Sequence, residues 1–122
     1  MTYIDGFVAP VLAGRRDAYR QLAEEASAVF VECGALHVVE AIGNDVPHGQ
    51  VTDLWRAVAA EEGEDVAFSW IVWPSKAARD AGWEKAMADP RMKPPGEMPF
   101  DGKRLIFGGF DVIVDIAAPV AG

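Results

Sequence analysis

The chain has 122 residues, 51% hydrophobic and 25% charged, with a mean hydropathy of +0.08. That describes one globular domain, 1–122, long enough to bury roughly two thirds of the surface its unfolded chain exposes. No apolar run approaches the ~20 residues of a membrane span. Nineteen acids against 11 bases leave a net charge of −8, which weighs against a nucleic-acid partner, because affinity for a phosphate backbone comes from clustered Lys and Arg.

The N-terminal Met1-Thr2-Tyr3-Ile4-Asp5-Gly6 lacks the basic and apolar regions of a signal peptide, so the expected location is the cytoplasm, with no membrane partner. Cys33 is the only cysteine, which excludes an intrachain disulfide and a thiolate metal site built from one chain.

Thr2 to Leu12 is rich in Ile, Val, Phe and Tyr and stops at Gly14, which predicts a first strand with Pro10 near its end. From Arg15 to Cys33 the period becomes helical, with Tyr19, Leu22, Ala26, Val29, Phe30 and Cys33 on one stripe and Gly34 as a C-cap candidate. Ala35 to Ile42 reads as a second strand, closed by turn-forming residues through Gly49. The connector 43–64 contains a mixed signal over 52–60. Thr52 or Asp53 could cap a short helix through Leu54-Trp55-Arg56-Ala57, while the alternation also permits a strand.

Asp65 to Trp73 is a strongly apolar strand with both faces covered. Ser75 then begins a second helix that ends before Asp89-Pro90, where proline prevents continuation. A Pro/Gly-rich loop occupies 89–103. Arg104 to Ile116 is the last strand, in which Gly108-Gly109 marks a bulge or a close backbone approach. The order is that of an α+β ferredoxin-like βαββαβ fold, with an antiparallel sheet and two helices on one face. Phe7, Phe68, Trp70 and Phe107 are too many large apolar groups to leave wet on the other face, so the expectation is a homodimer that pairs two sheets as a dimeric α+β barrel.

Several motifs in order carry a resemblance: Tyr3-Ile4-Asp5-Gly6-Phe7-Val8, Cys33-Gly34-Ala35-Leu36, Phe68-Ser69-Trp70-Ile71-Val72-Trp73-Pro74-Ser75-Lys76-Ala77-Ala78-Arg79-Asp80, Asp89-Pro90-Arg91-Met92, and Met98 to Phe110. The chain resembles the YbaA-like family, domain of unknown function 1428, over nearly its whole length. The resemblance implies a ferredoxin-like subunit of the dimeric α+β barrel superfamily, often with a small-molecule pocket in each subunit. It implies no reaction, since that superfamily includes cofactor-free monooxygenases, haem enzymes, isomerases and ligand sensors.

Asp5 lies in phase with Tyr3 and Phe7, and Glu40 in phase with Val38 and Ile42, so each is a carboxylate among apolar strand residues. Such a group is a candidate general base if it is desolvated, or one half of a structural ion pair. His37 is the third catalytic candidate, because its titration range suits proton transfer. His37 and Glu40 are three apart on a strand and point to opposite faces, so they do not chelate one ion. No metal and no cofactor are expected. Trp70 is a candidate pocket wall. Lys76 and Arg79 sit in the first turn of the second helix, where the helix dipole disfavours cations unless an anion compensates, either an internal carboxylate or a ligand. With Arg91 and Arg104 they complete the candidate ligand-binding set.

The expected function is a cytoplasmic dimeric barrel that binds a small polar or aromatic molecule, with a cofactor-free monooxygenase or isomerase as the sharper form. The alternative is a noncatalytic dimeric interaction or regulatory module.

Overall fold

The computed structural model describes residues 2–93, 96 and 98–120. Four strands, β1 (Tyr3–Leu12), β2 (His37–Ile42), β3 (Glu64–Trp73) and β4 (Ile106–Asp111), form one antiparallel sheet in the order β2-β3-β1-β4. Helix α1 (Arg16–Glu32) joins β1 to β2, and α3 (Lys76–Ala88) joins β3 to β4. The four-residue helix α2 (Leu54–Ala57) settles the mixed signal in the connector, with Asp53 as its N-cap accepting from the Arg56 amide at 2.7 Å. This is the ferredoxin-like α+β plan. Among the described residues no helix is long and apolar enough to cross a membrane.

The two central strands are the longest, and their register runs from Tyr3 opposite Trp73 to Leu12 opposite Glu64. Odd-numbered residues of both strands turn toward the helices, where Tyr3, Ile71 and Trp73 meet Val29 and Phe30 of α1 and Ala86 of α3. Pro10 is tolerated in a central strand because its carbonyl, and so its missing N–H, points toward the loop that precedes β4, where it accepts from the Asp101 amide at 3.4 Å. The C-terminal end of α1 passes through Gly34, whose φ of 115° suits a residue without a Cβ.

Two expectations need correction. Phe7 and Phe107 face each other across β1 and β4 on the helix side of the sheet, with ring centroids 6.3 Å apart, and Phe7 also meets Trp83 of α3 at 6.1 Å. Only Phe68 and Trp70 stay on the open face, where Ile4, Val8, Ile106 and Phe110 join them. Side chains alternate along a strand, so Phe7 and Phe68 fall on opposite faces because their positions differ in parity within the β1–β3 register. The last strand is also shorter than 104–116. Its one neighbour, β1, begins at Tyr3 opposite Asp111, so residues beyond 111 have no edge to pair with. At the other end, Arg104 is drawn out of the strand to bind Glu64 through two bonds of 2.7 Å and Asp101 at 2.8 Å.

Helix α3 is locked to the sheet by a single buried carboxylate. Ser75 caps the helix, accepting from the Ala78 amide at 3.1 Å. One turn in, Arg79 donates through Nε to Asp5 Oδ1 at 2.9 Å, and the other oxygen, Oδ2, accepts from the indole nitrogens of Trp73 at 2.9 Å and Trp83 at 2.8 Å. Asp5 is 2% exposed. Its neighbours have made room: a Cβ on Gly109 would lie 2.8 Å from Arg79 Nη2 and collide with the Tyr3 hydroxyl, and one on Gly82 would overlap the Trp73 ring. The guanidinium also lies over the Tyr3 ring, 5.3 Å from its centroid.

Replacing Asp5 by asparagine leaves one carbonyl oxygen for donors that now use two. The substituted side chain then turns its NH2 group toward an N–H donor in either orientation. Asp5→Asn is expected to cost about 3 kcal/mol and lower Tm by roughly 10 °C. Unchanged thermal unfolding of this variant would show that the carboxylate is not what holds α3.

Candidate functional site

Helix α1 crosses the sheet with small residues, Ala23, Ala26 and Ser27, turned toward small residues of the strands, Ala9 and Ser69, and the gap between them is a cavity of about 230 Å3. Phe7, Phe30, Ile71 and Trp83 form one apolar wall, Leu22 lies on the α1 side, and Met92, Met98 and Phe100 of the long loop approach from the mouth with Leu105, which immediately precedes β4. The aromatic wall is continuous, since Phe30 and Trp83 meet at 4.7 Å and Trp83 reaches Phe7. On the other side Phe100 meets Tyr19 edge to face at 5.9 Å. A space of this size exceeds the ~150 Å3 that accommodates benzene in an engineered core and falls below a drug-sized site.

Beside α1 the cavity is bordered by the buried Tyr19 and Ser69 and by Glu40, which is exposed on the edge strand. Tyr19 donates to Glu40 Oε2 at 2.6 Å, and Ser69 stands opposite Glu40 across β2 and β3. Desolvation lifts the Glu40 carboxyl above its ordinary value of 4.5, and the hydrogen bonds of Tyr19 and Ser69 offset this only in part. The same burial, followed by the hydrogen bond and charge of Glu40, pushes the Tyr19 hydroxyl well above its ordinary 10. Because β2 is the sheet edge, Glu40 and Tyr19 also border a shallow outer groove between α1 and β2. The carboxyl is therefore reached from two sides.

The three catalytic candidates do not converge. Glu40 lines the cavity, whereas Asp5 is enclosed by its three donors at the α3 side of the sheet. His37 is exposed at the start of β2, in register with Val72 of the open face, while Glu40 is in register with Ser69 of the helix face. Trp70 lies on the open face beside Phe68, 5.6 Å between centroids. Each of the four candidate cations has carboxylate partners: Lys76 binds Asp80 at 2.8 Å, Arg79 binds Asp5 and Asp80, Arg91 binds Asp89 at 2.7 Å and Glu32 at 2.9 Å, and Arg104 binds Glu64 and Asp101. Of these, Arg91 also borders the cavity mouth. Among the described residues no three His, Cys, Asp or Glu side chains gather as a metal site would require.

Tyr19 and Ser69 are the site residues that sequence reasoning passed over. Ser69 carried a signal, a lone hydroxyl between Phe68 and Trp70 in the otherwise apolar run from Val66 to Trp73. Tyr19 carried almost none, since an aromatic residue on the apolar stripe of a helix is ordinary core.

A model for a family described as a protein of unknown function, DUF1428, matches residues 2–102. The chain is 58% identical over 116 residues to uncharacterised protein YbaA of Escherichia coli strain K12 and to its counterpart in Shigella flexneri, covering 94% of this chain and 99% of each relative. Among solved structures it is similar to a variant of MhuD with two manganese protoporphyrin IX bound per active site, with a TM-score of 0.62, 17% identity, and 95% of this chain and 99% of the other covered. It is also similar to a Bacillus cereus protein that carries the name antibiotic biosynthesis monooxygenase, with a TM-score of 0.55, 13% identity, and coverage of 96% and 98%. At such identities the likeness concerns the fold alone. With a family model spanning most of its length and relatives identical at more than half of the aligned positions, the chain belongs to the DUF1428 family of proteins of unknown function.

Proposed function

We propose that this protein works in the cytoplasm as a dimeric barrel that binds a small, largely aromatic molecule in the cavity between sheet and helices, with Glu40 as the group that accepts a proton or hydrogen bond from it. One observation carries the reading: an apolar, aromatic-walled space is bordered by the Glu40 carboxyl, which accepts from the buried Tyr19 hydroxyl and stands opposite buried Ser69. A tetrapyrrole such as the one bound by MhuD does not fit these residues, because the cavity is about 230 Å3 and no histidine lines it. A proton-transfer reaction of the isomerase or cofactor-free oxygenase type is the catalytic form of the proposal, and the raised pKa of Glu40 favours it. His37 and Asp5 are second to Glu40 as bases, since neither lines this space.

The test is a thermal-shift screen of one- and two-ring aromatic metabolites, including phenols and enols, against wild type and Ala26→Leu, which fills the space. A ligand present at about 100 times its Kd should stabilise wild type by about 2.7 kcal/mol, with the shift lost in Ala26→Leu. Equal shifts in both proteins would place binding elsewhere.

The Glu40 carboxyl also predicts a pH dependence. A raised carboxyl pKa means that the folded state binds its proton more tightly than the unfolded state. The favourable contribution is therefore complete below the ordinary value of 4.5 and is lost as pH rises through the folded-state pKa. Glu40→Gln should accordingly be more stable than wild type at neutral pH and equal to it in acid, a gap read from paired urea titrations. A variant less stable at neutral pH would show the carboxylate to be a structural asset, not a functional cost.

The dimer is supported by the open face, where Phe68, Ile106 and Phe110 are 46%, 43% and 60% exposed. A second copy laid sheet to sheet would cover them and Trp70. Sedimentation at micromolar concentration is expected to give a dimer for wild type and a monomer for Phe110→Asp. A wild-type monomer would remove this part of the proposal.

A further inference from the structure

We infer that the C-terminal arm of one copy, Val112 to Ala118, adds as a fifth strand to the β2 edge of its partner and closes the outer groove beside Glu40, so that each subunit completes the other's site. The inference rests on the dimer reading above and says how the pair is joined. β2 is an edge strand, paired with β3 alone. At its two ends Leu36 and Gly43 donate to Val72 and Val66 of β3 at 2.7 and 2.8 Å. Gly43 continues the register opposite Val66, and bonding alternates along an antiparallel ladder, so His37, Val39 and Ala41 bond to β3. The N–H and C=O groups of Val38, Glu40 and Ile42 therefore point outward, and among the described residues no strand lies beside them. The side chains of these three turn toward α1, where they line, with exposed Val31 and Leu36, a groove of about 1000 Å3. On the opposite face Val39 and Ala41 flank Trp70 and Phe68. A strand added at this edge finds apolar groups on both of its faces.

The arm is a segment of that kind. Val112, Ile113, Val114 and Ile116 are β-branched residues suited to a strand. Yet Ile113, Val114 and Ile116 are 86%, 70% and 89% exposed, because the pairing of β4 with β1 stops at Asp111. Seven residues separate Asp111 from Pro119, whose missing N–H ends a ladder, and β2 has six. If the arm continues the alternation of β4, Val112, Val114 and Ile116 fall with Phe110 on the open-face side and Ile113 falls on the groove side. Asp111 and Asp115 share the phase of Ile113 and meet a groove wall of both signs, where Arg16 and Arg20 stand among Asp17, Glu24 and Glu32. Backbone pairing and apolar burial, rather than charge, therefore hold the arm. Symmetry brings the arm to this edge. When two sheets stack on their open faces about a two-fold axis that runs along the strands, the β4 edge of each lies against the β2 edge of the other, since these are the opposite margins of the order β2-β3-β1-β4. The arm then passes the exposed side of Glu40, the outer approach to the cavity.

Amide hydrogen exchange followed by NMR, with the oligomeric state checked by sedimentation, tests the arrangement residue by residue. The outward amides of Val38, Glu40 and Ile42 should exchange at least about tenfold more slowly in the full chain than in a chain ending at Asp111, while Val39 and Ala41 change little. Val114→Asp should reproduce that loss in a chain of full length. Isotope-labelled truncated chain, refolded from urea together with an excess of unlabelled full chain, then tells whose arm is docked: protection should return to the labelled edge. Rapid exchange of the three amides in a wild-type dimer, or protection that survives both truncation and Val114→Asp, overturns the docked arm and leaves the dimer standing. Protection that is lost on truncation but does not return on mixing means that the arm lies on its own chain, which overturns the exchange between copies. A wild-type monomer overturns this inference together with the dimer reading.

Discussion

The organisation of the fold depends on the Asp5 carboxylate and the three donors that surround it. Lys76 and Arg79 stand in the first turn of α3, where the helix dipole makes each cation unfavourable by a few tenths to ~1 kcal/mol at an exposed site. Asp5, anchored in a central strand, reverses that sign for Arg79 and ties the helix to the sheet through a residue 74 positions away. The two indole bonds matter as much, because they fix the tilt of Trp73 and Trp83, the rings between which the helix and sheet close. Gly109 and Gly82 serve this node by what they lack. A methyl group at either position would occupy space that the guanidinium, Tyr3 or Trp73 now fills.

The cavity is a consequence of the same node. Held by its nitrogen, Trp83 presents its ring to Phe7 and Phe30, and that rigid wall faces the run of alanine and serine on α1 with nothing large enough to fill the gap. Dispersion contacts forgone across such a gap cost stability. Glu40 adds to that cost, since desolvation of its carboxyl is only partly offset by two hydroxyls. Two strand acids that face the helices, Asp5 buried and Glu40 exposed at the sheet edge, thus receive opposite treatment. One is saturated by a cation and two indoles at a structural joint. The other is left with neutral partners beside an open space, the kind of local inconsistency that marks sites of function in an otherwise self-consistent structure.

Much of the architecture was legible in residue order. The change from strand to helical period at Arg15, the Ser75 cap and the Asp89-Pro90 stop are local signals, and local chemistry decides them. The pairing of Arg79 was legible only as a question, because an acid able to answer it could lie anywhere among 19. Asp5 answers through strand register, which is a property of the assembled sheet. The placement of Phe7 failed for a related reason. A continuous apolar run in β1 and β3 hides which parity faces the helices, and one residue of phase moves a ring to the other side. The length of β4 depended on where β1 begins, so no pattern within Arg104 to Ile116 could reveal it. The cavity itself is a matter of side-chain volume summed over α1, β1 and β3, and no single segment carries that sum.

The sheet is one layer thick, and its alternation separates two unfinished tasks. On the helix side lies the space beside Glu40. On the open side Phe68, Trp70, Ile106 and Phe110 remain uncovered, and the chain beyond β4 adds Ile113 and Val114, which border the same hollow, and Ile116, 89% exposed. Val112, Val114 and Ile116 continue the parity of Phe110, so a surface that covered the sheet would meet this tail on the same side if it stayed extended. The apolar material concentrated there is more than a small chain ordinarily leaves to water, and this is the ground for the proposed second copy as its cover. Because neighbouring residues of one strand serve different faces, Ser69 borders the cavity while Phe68 and Trp70 lie on the open face, where the proposed second copy would sit. The proposed assembly and ligand recognition would therefore rest on interleaved residues that do not compete, and a change in one could leave the other intact while both depended on the register that Asp5 helps to hold.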